Sequence, residues 1–109
     1  MAISLAKQGK KVILFEKSFL EGSNSEVEVL QPAALQQLSN LGLSHCLEEA
    51  DAKPISGYSI CSINNNNANL AYNSNRFAIA CNRNKLLYKL REIACSTRGY
   101  CCFFLDLLL

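Results

Sequence analysis

Few side chains in this 109-residue sequence have the type and spacing for chemistry. Glu16 is one, an acid placed directly after the apolar run Val12-Ile-Leu-Phe15, with Lys17 beside it. Arg83 is another, following Asn82, a residue suited to cap a helix. His45 is the sole histidine and abuts Cys46. Metal sites need close pairs of ligands, and the six cysteines at 46, 61, 81, 95, 101 and 102 contain no C-x-x-C spacing. No metal site is therefore expected. His45 and Asp51 do not form a constellation that spacing supports, so no catalytic acid, base or nucleophile is assigned. An even cysteine count in a short chain can signal a disulfide framework. The start of the sequence has no basic stretch ahead of its apolar residues, so no secretory signal is expected. Free thiols used as small hydrophobes, in a reducing intracellular compartment, are then the simpler reading.

The elements that must position these residues are legible from pattern. Residues 2–8 read as a helix with a crowded apolar face, and Gly9 fits the position past its last turn, where positive φ is needed. Lys11–Phe15 suits a strand buried on both faces, as in a parallel sheet, with Glu16 at its carboxyl end. Glu21–Glu28 reads as a polar loop. Pro32 opens a helix in which Leu35, Leu38 and Leu41 share a face, and Gly42 ends it. Ser44 can cap a short helix over 45–50 that Pro54 keeps from extending. Ile55–Ile63, Asn69–Tyr72 and Phe77–Cys81 have strand composition, and the Asn64–Asn67 tract suits a turn. Arg83–Cys95 reads as a helix with Leu86, Leu87, Leu90, Ile93 and Ala94 on its buried stripe. Tyr100–Leu105 is a last strand candidate.

In a dinucleotide-binding βαβ unit, a strand leads through Gly-x-Gly-x-x-Gly into a helix, then into a second strand ending in an acid. That acid accepts hydrogen bonds from the two hydroxyls of the adenosine ribose. The spacing Ala2-x-x-Leu5-x-x-x-Gly9-x-x-Val12-x-x-x-Glu16 resembles the second half of the N-terminal FAD-binding unit of flavoproteins. The first strand and glycine loop, which would cradle the pyrophosphate, have no counterpart in the sequence.

Two later segments strengthen the resemblance and come in family order. Val29-Leu-Gln-Pro-Ala-Ala-Leu-Gln-Gln-Leu-Ser-Asn-Leu-Gly-Leu43 is similar to the LQP-x-x-L-x-x-L-x-x-LGL segment of single-component FAD-dependent monooxygenases of the para-hydroxybenzoate hydroxylase type. Asn82-Arg-Asn-Lys-Leu-Leu-Tyr-Lys-Leu90 resembles that family's R-x-x-L-x-x-x-L helix. Within the family, Cys46–Tyr58 looks like the stretch after the Gln-Pro helix of squalene epoxidases; a ubiquinone-biosynthesis hydroxylase-like branch stays open. Ala33 and Ala34 stand where squalene epoxidases have Gly-Gly, and Asn24 where they have an Arg.

The resemblance implies an α/β fold: a partial Rossmann-like FAD-binding domain over 1–109 with a small β-hairpin element. It implies a fragment lacking the downstream Gly-Asp motif and the substrate domain, and inactive on its own. The implied activity is insertion of one oxygen into an apolar or aromatic organic substrate through a flavin hydroperoxide, with FAD as cofactor and NAD(P)H as reductant. By the same resemblance Glu16 would bind the ribose, Lys17 would approach the adenylate, and Arg83 would sit near the flavin or pyrophosphate.

Composition sets the outer limits. The chain is 50% hydrophobic and 18% charged, which is globular and not disordered in character. A net charge of +2 is too mild for a nucleic-acid binder. No apolar run reaches the ~20 residues that span a bilayer, so no transmembrane segment is expected, while membrane association of a longer parent stays open, as does a location at the cytoplasmic membrane face. Two other readings remain open: a different FAD- or NAD-linked oxidoreductase, and a non-catalytic interaction module using an exposed strand edge.

Overall fold

The computed structural model describes residues 1–16, 26–98 and 100–104. Helix α1 (Ala2–Lys7) leads into strand β1 (Val12–Glu16), and strand β2 (Val27–Leu30) into helix α2 (Pro32–Asn40). A 3-10 turn (Ser44–Leu47) precedes strands β3 (Lys53–Ile55), β4 (Gly57–Cys61), β5 (Asn67–Ala71) and β6 (Ala78–Asn82). Helix α3 (Arg83–Ser96) and strand β7 (Tyr100–Phe104) complete the order.

The two expected glycine stops form the same device. Gly9 and Gly42 have φ of +78° and +67°. Gly9 and Lys10 donate back to Ala6 and Leu5 at 2.9 and 3.1 Å, while Gly42 and Leu43 donate to Ser39 and Leu38 at 2.9 and 2.8 Å. These paired bonds satisfy carbonyls that the last helical turn leaves open. Asn82 caps α3 as expected, its Oδ1 accepting from the Lys85 N–H at 3.1 Å.

β1 runs parallel to β7, with Val12 opposite Tyr100 and Glu16 opposite Phe104. The second sheet is antiparallel in the order β2-β6-β3. Pro54 lies within β3 rather than before it, opposite Ile79. It is tolerated there because β3 is an edge strand, where a missing donor costs no ladder bond. The 55–63 segment is thus two strands, and only Gly57–Cys61 joins the β4–β5 hairpin. The asparagine tract turns that hairpin, with Asn65 at φ 61°.

Two further expectations change. Val27 and Glu28 are strand, not loop, because their alternation with Val29 and Leu30 pairs against β6; the rest of the 21–28 segment, apart from Glu26, lies outside the described residues. The helix expected over 45–50 is a single 3-10 turn over Ser44–Leu47, with Leu43 and not Ser44 at its N-cap position and no side-chain cap bond.

The core gathers where α3 meets the antiparallel sheet. Cys46, Ala50, Cys81 and Leu86 form one buried cluster, with Leu30, Leu38, Ile79 and Leu90 packed against it. Ile3, Leu43 and Ala94 form a second. Outside these, burial is sparse: Ile13 is 58% and Phe15 66% exposed on β1. The total accessible surface is 8473 Å², against ~6,000 Å² for a compact monomer of this mass. The radius of gyration is 17.4 Å, against about 13 Å for a compact chain of this length. Much apolar surface is therefore left uncovered, and β1, expected from its continuous apolar run to be buried on both faces, instead exposes Ile13 and Phe15 because β7 is its one strand neighbour among the described residues.

Candidate functional site

Arg83 is the sequence candidate around which the structure builds a site. It is the first residue of α3, held at the end of β6 by the Asn82 cap. Its N–H donates to the Glu26 carbonyl at 2.9 Å. Its guanidinium donates from NH1 to Glu26 Oε2 at 2.7 Å, and its Nε lies 3.6 Å from Glu28 Oε2. Two carboxylates reach one guanidinium from adjoining positions, Glu26 just before β2 and Glu28 within it.

On the neighbouring turn, Lys85 Nζ pairs with Asp51 Oδ2 at 2.8 Å. Asp51 has φ 52°, and the Ala50 carbonyl beside it accepts from the Asn82 N–H at 2.7 Å. Glu26, Asp51, Lys53, Ala80, Cys81 and Asn82 are among the residues lining an open groove of about 310 Å³. Burial pushes the Cys81 thiol up, and the Glu28 carboxylate adds to the rise. Both effects disfavour the thiolate of Cys81.

The Glu16 backbone ends β1, in a different sheet from β6. Lys17 lies outside the described residues, as does the Asn24 position. Cys46, Cys61, Cys81 and Cys95 are free thiols, and His45 is exposed on the 3-10 turn. Among the described residues no group of three or more His, Cys, Asp or Glu could hold a metal ion. Among them, too, no helix is long and apolar enough to cross a membrane.

Glu26 and Glu28 were not singled out from sequence. Their signal was present in Glu26-Val-Glu-Val-Leu30, an alternation that places both acids on one strand face. Also missed was a polar cluster beside the hairpin. There Tyr72 Oη donates to Gln31 Oε1, and Gln31 Nε2 donates to Tyr58 Oη. The Tyr58 and Tyr72 rings meet edge-on, their centroids 5.9 Å apart. These residues are far apart in sequence, and no periodicity links them.

Comparison with known proteins adds an independent finding. A squalene epoxidase of Gibberella zeae is 47% identical over 60 residues, covering 55% of this chain and 12% of that protein. One from Aspergillus fumigatus is 42% identical over 64 residues, 59% of this chain and 13% of its own length. Squalene monooxygenase SE2 of Panax ginseng is 34% identical over 77 residues, 71% of this chain and 14% of its own. The chain thus spans about an eighth of the length of these relatives. No family model matches it. Among solved structures, a PqsL variant from P. aeruginosa superposes with a TM-score of 0.74 at 17% identity, over 94% of this chain and 29% of that one. The likeness to PqsL is one of fold. The likeness to squalene epoxidases lies in the sequence itself and bears out the resemblance to a fragment of an FAD-dependent monooxygenase.

Proposed function

We propose that this chain forms part of the cofactor-binding region of an FAD-dependent monooxygenase that adds one oxygen atom to a long apolar hydrocarbon of the squalene type. The observation that carries the proposal is the 47% identity over 60 residues to a squalene epoxidase. The fold likeness to PqsL over 94% of the chain supports it. The parallel β1–β7 pair with α1 beside it supports reading this end of the chain as part of a Rossmann-like unit.

The donor set at Arg83 fits the hydroxyl-bearing portion of a flavin dinucleotide. Glu26 and Glu28 are acceptors for hydroxyls, and the guanidinium has five N–H donors, not all of them used by two carboxylates. Near Arg83 the charges alternate: Glu26, Glu28 and Asp51 against Arg83, Lys85 and Lys53. Such a balanced set suits a polyol better than a diphosphate, which needs converging amides or an excess of cations. In this reading Arg83 orients the flavin side of the cofactor and Glu16 accepts from the ribose, with Lys17 near the adenylate. When bound, the flavin supplies the oxygen chemistry; the protein binds it, orients it and excludes water.

The test is a chimera. The region of the Gibberella zeae squalene epoxidase homologous to this chain is replaced by this chain, and bound flavin and squalene epoxidation are measured. Retained flavin and product are expected, with flavin content falling when Arg83→Gln is added. A folded chimera that binds no flavin refutes the proposal.

A further inference from the structure

A groove of about 480 Å³ lies between α2 and the segment that leads into β6, and it shares no lining residue with the groove beside Asn82. On the α2 side Pro32, Leu35, Gln36 and Ser39 line it. Their spacing, i, i+3, i+4 and i+7, makes one continuous stripe of a helix face. On the other side stand Asn75, Arg76 and Phe77. The Arg76 N–H donates to the Asn73 carbonyl at 2.8 Å, which closes a tight turn at the start of this wall. Ala78, the first residue of β6, is fully buried and anchors its other end.

The lining divides by chemistry. Pro32, Leu35 and Phe77 are apolar, and Phe77 is 49% exposed. Arg76 is the one charged residue of the lining among the described residues. Arg83, Lys85 and Lys89 are each paired with an acid, whereas Arg76 forms no ion pair with a described residue. An unneutralised guanidinium can take a carboxylate through two parallel N–H···O bonds. The apolar part of the lining gains by covering a hydrocarbon chain. We propose that this groove binds a single-chain alkyl carboxylate, its head on Arg76 and its chain along Pro32, Leu35 and Phe77. The proposal goes beyond the cofactor reading and does not depend on it.

Charge and shape narrow the ligand class. A phosphate monoester brings about two negative charges, and the lining offers one cation to meet them. An anionic bilayer is recognised by clusters of several Lys and Arg, not by one guanidinium at a concave site. The volume lies within the range of about 300–1,000 Å³ usual for small-molecule sites. Gln36 donates from Nε2 to Asn40 Oδ1 at 3.0 Å, so the polar edge of the stripe is held by the helix itself.

The experiment titrates decanoate, below its micelle concentration, into the intact chain and reads amide and aromatic resonances by NMR. Decanoate should shift Gln36, Ser39 and the Phe77 ring, while the amides of α3 stay in place and report that the chain is folded. Octanoate, shorter by two methylenes, should bind roughly four- to fifteenfold more weakly. Arg76→Gln, at an exposed position, should weaken decanoate about five- to tenfold and leave the uncharged decanol unchanged. Ser39→Trp fills the groove from α2 and should block both probes. Decanoate binding that is absent, or equal in the parent and Arg76→Gln, overturns the proposal. So does decanoate binding retained in a folded Ser39→Trp, or a response to phosphatidylglycerol vesicles with none to decanoate.

Discussion

Gly57→Ala tests whether the hairpin geometry places Tyr58. Gly57 pairs with Ala71 at the start of the β4–β5 ladder. A Cβ added there would lie 2.3 Å from the Leu70 carbonyl oxygen and 2.8 Å from the Ala71 Cα. Both are backbone atoms, so no side chain can rotate away, and one strand must move by about 1 Å to reach ordinary contact. Forced repacking of this kind costs about 1–3 kcal/mol. Since about 1.4 kcal/mol is tenfold in an opening equilibrium, the ladder should open roughly 5- to 150-fold more often. The assay is amide hydrogen exchange at Tyr72, whose N–H is held by Ser56, with α3 amides as the internal control. The Tyr58 Cζ resonance should shift in the same sample as its hydrogen bond with Gln31 is disturbed. Unchanged exchange at Tyr72 together with an unchanged Tyr58 resonance refutes the claim that strand proximity at Gly57 sets the tyrosine cluster.

Asn82→Ala removes the acceptor that holds the Lys85 N–H, and should cost about 1 kcal/mol, read as a lower denaturation midpoint with its slope unchanged. Leu86→Ala empties part of the larger buried cluster; at about 2–5 kcal/mol against a total of about 5–15 kcal/mol for a domain, it should lower the denaturation midpoint read by circular dichroism more than Asn82→Ala does. The thiols should divide by burial: a disulfide reagent near neutral pH should modify exposed Cys61 and Cys95 quickly and buried Cys46 and Cys81 only on unfolding. Burial raises both Cys46 and Cys81 in the folded chain, so their contribution to stability is complete below the unfolded thiol range of about 8.5 and is lost as pH rises through the higher folded values. Denaturation midpoints measured across that alkaline range should therefore fall, and fall less in Cys46→Ala.

What could be read from the sequence was local. Gly9, Gly42 and Asn82 declare their roles because positive φ and helix capping are properties of single residues. The α3 stripe was legible because burial repeats along it with the helical period. What depended on distant partners was hidden. Val27 and Glu28 become strand only by pairing with Asn82 and Cys81, and the polar composition before them pointed to a loop. Pro54 looked like a stop, yet an edge position accommodates it in β3. The Tyr58, Gln31 and Tyr72 cluster joins three elements with no common spacing, so only the folded hairpin reveals it.

The arrangement at Arg83 follows from the same distinction between local and long-range order. The asparagine cap fixes where α3 begins, and the β2 pleat then delivers two carboxylates to its first side chain. Ion pairs this exposed are worth about 0–1 kcal/mol, so Glu26 and Glu28 contribute little to holding the fold together. Their consequence is local: they hold a long, flexible guanidinium beside the start of β2. A ligand that brings hydroxyls can use the carboxylates as acceptors and the remaining guanidinium donors together. A ligand that brings only negative charge must first compete with both carboxylates. Under the proposed function, the pair of acids would favour the hydroxyl-rich part of a dinucleotide over its phosphates.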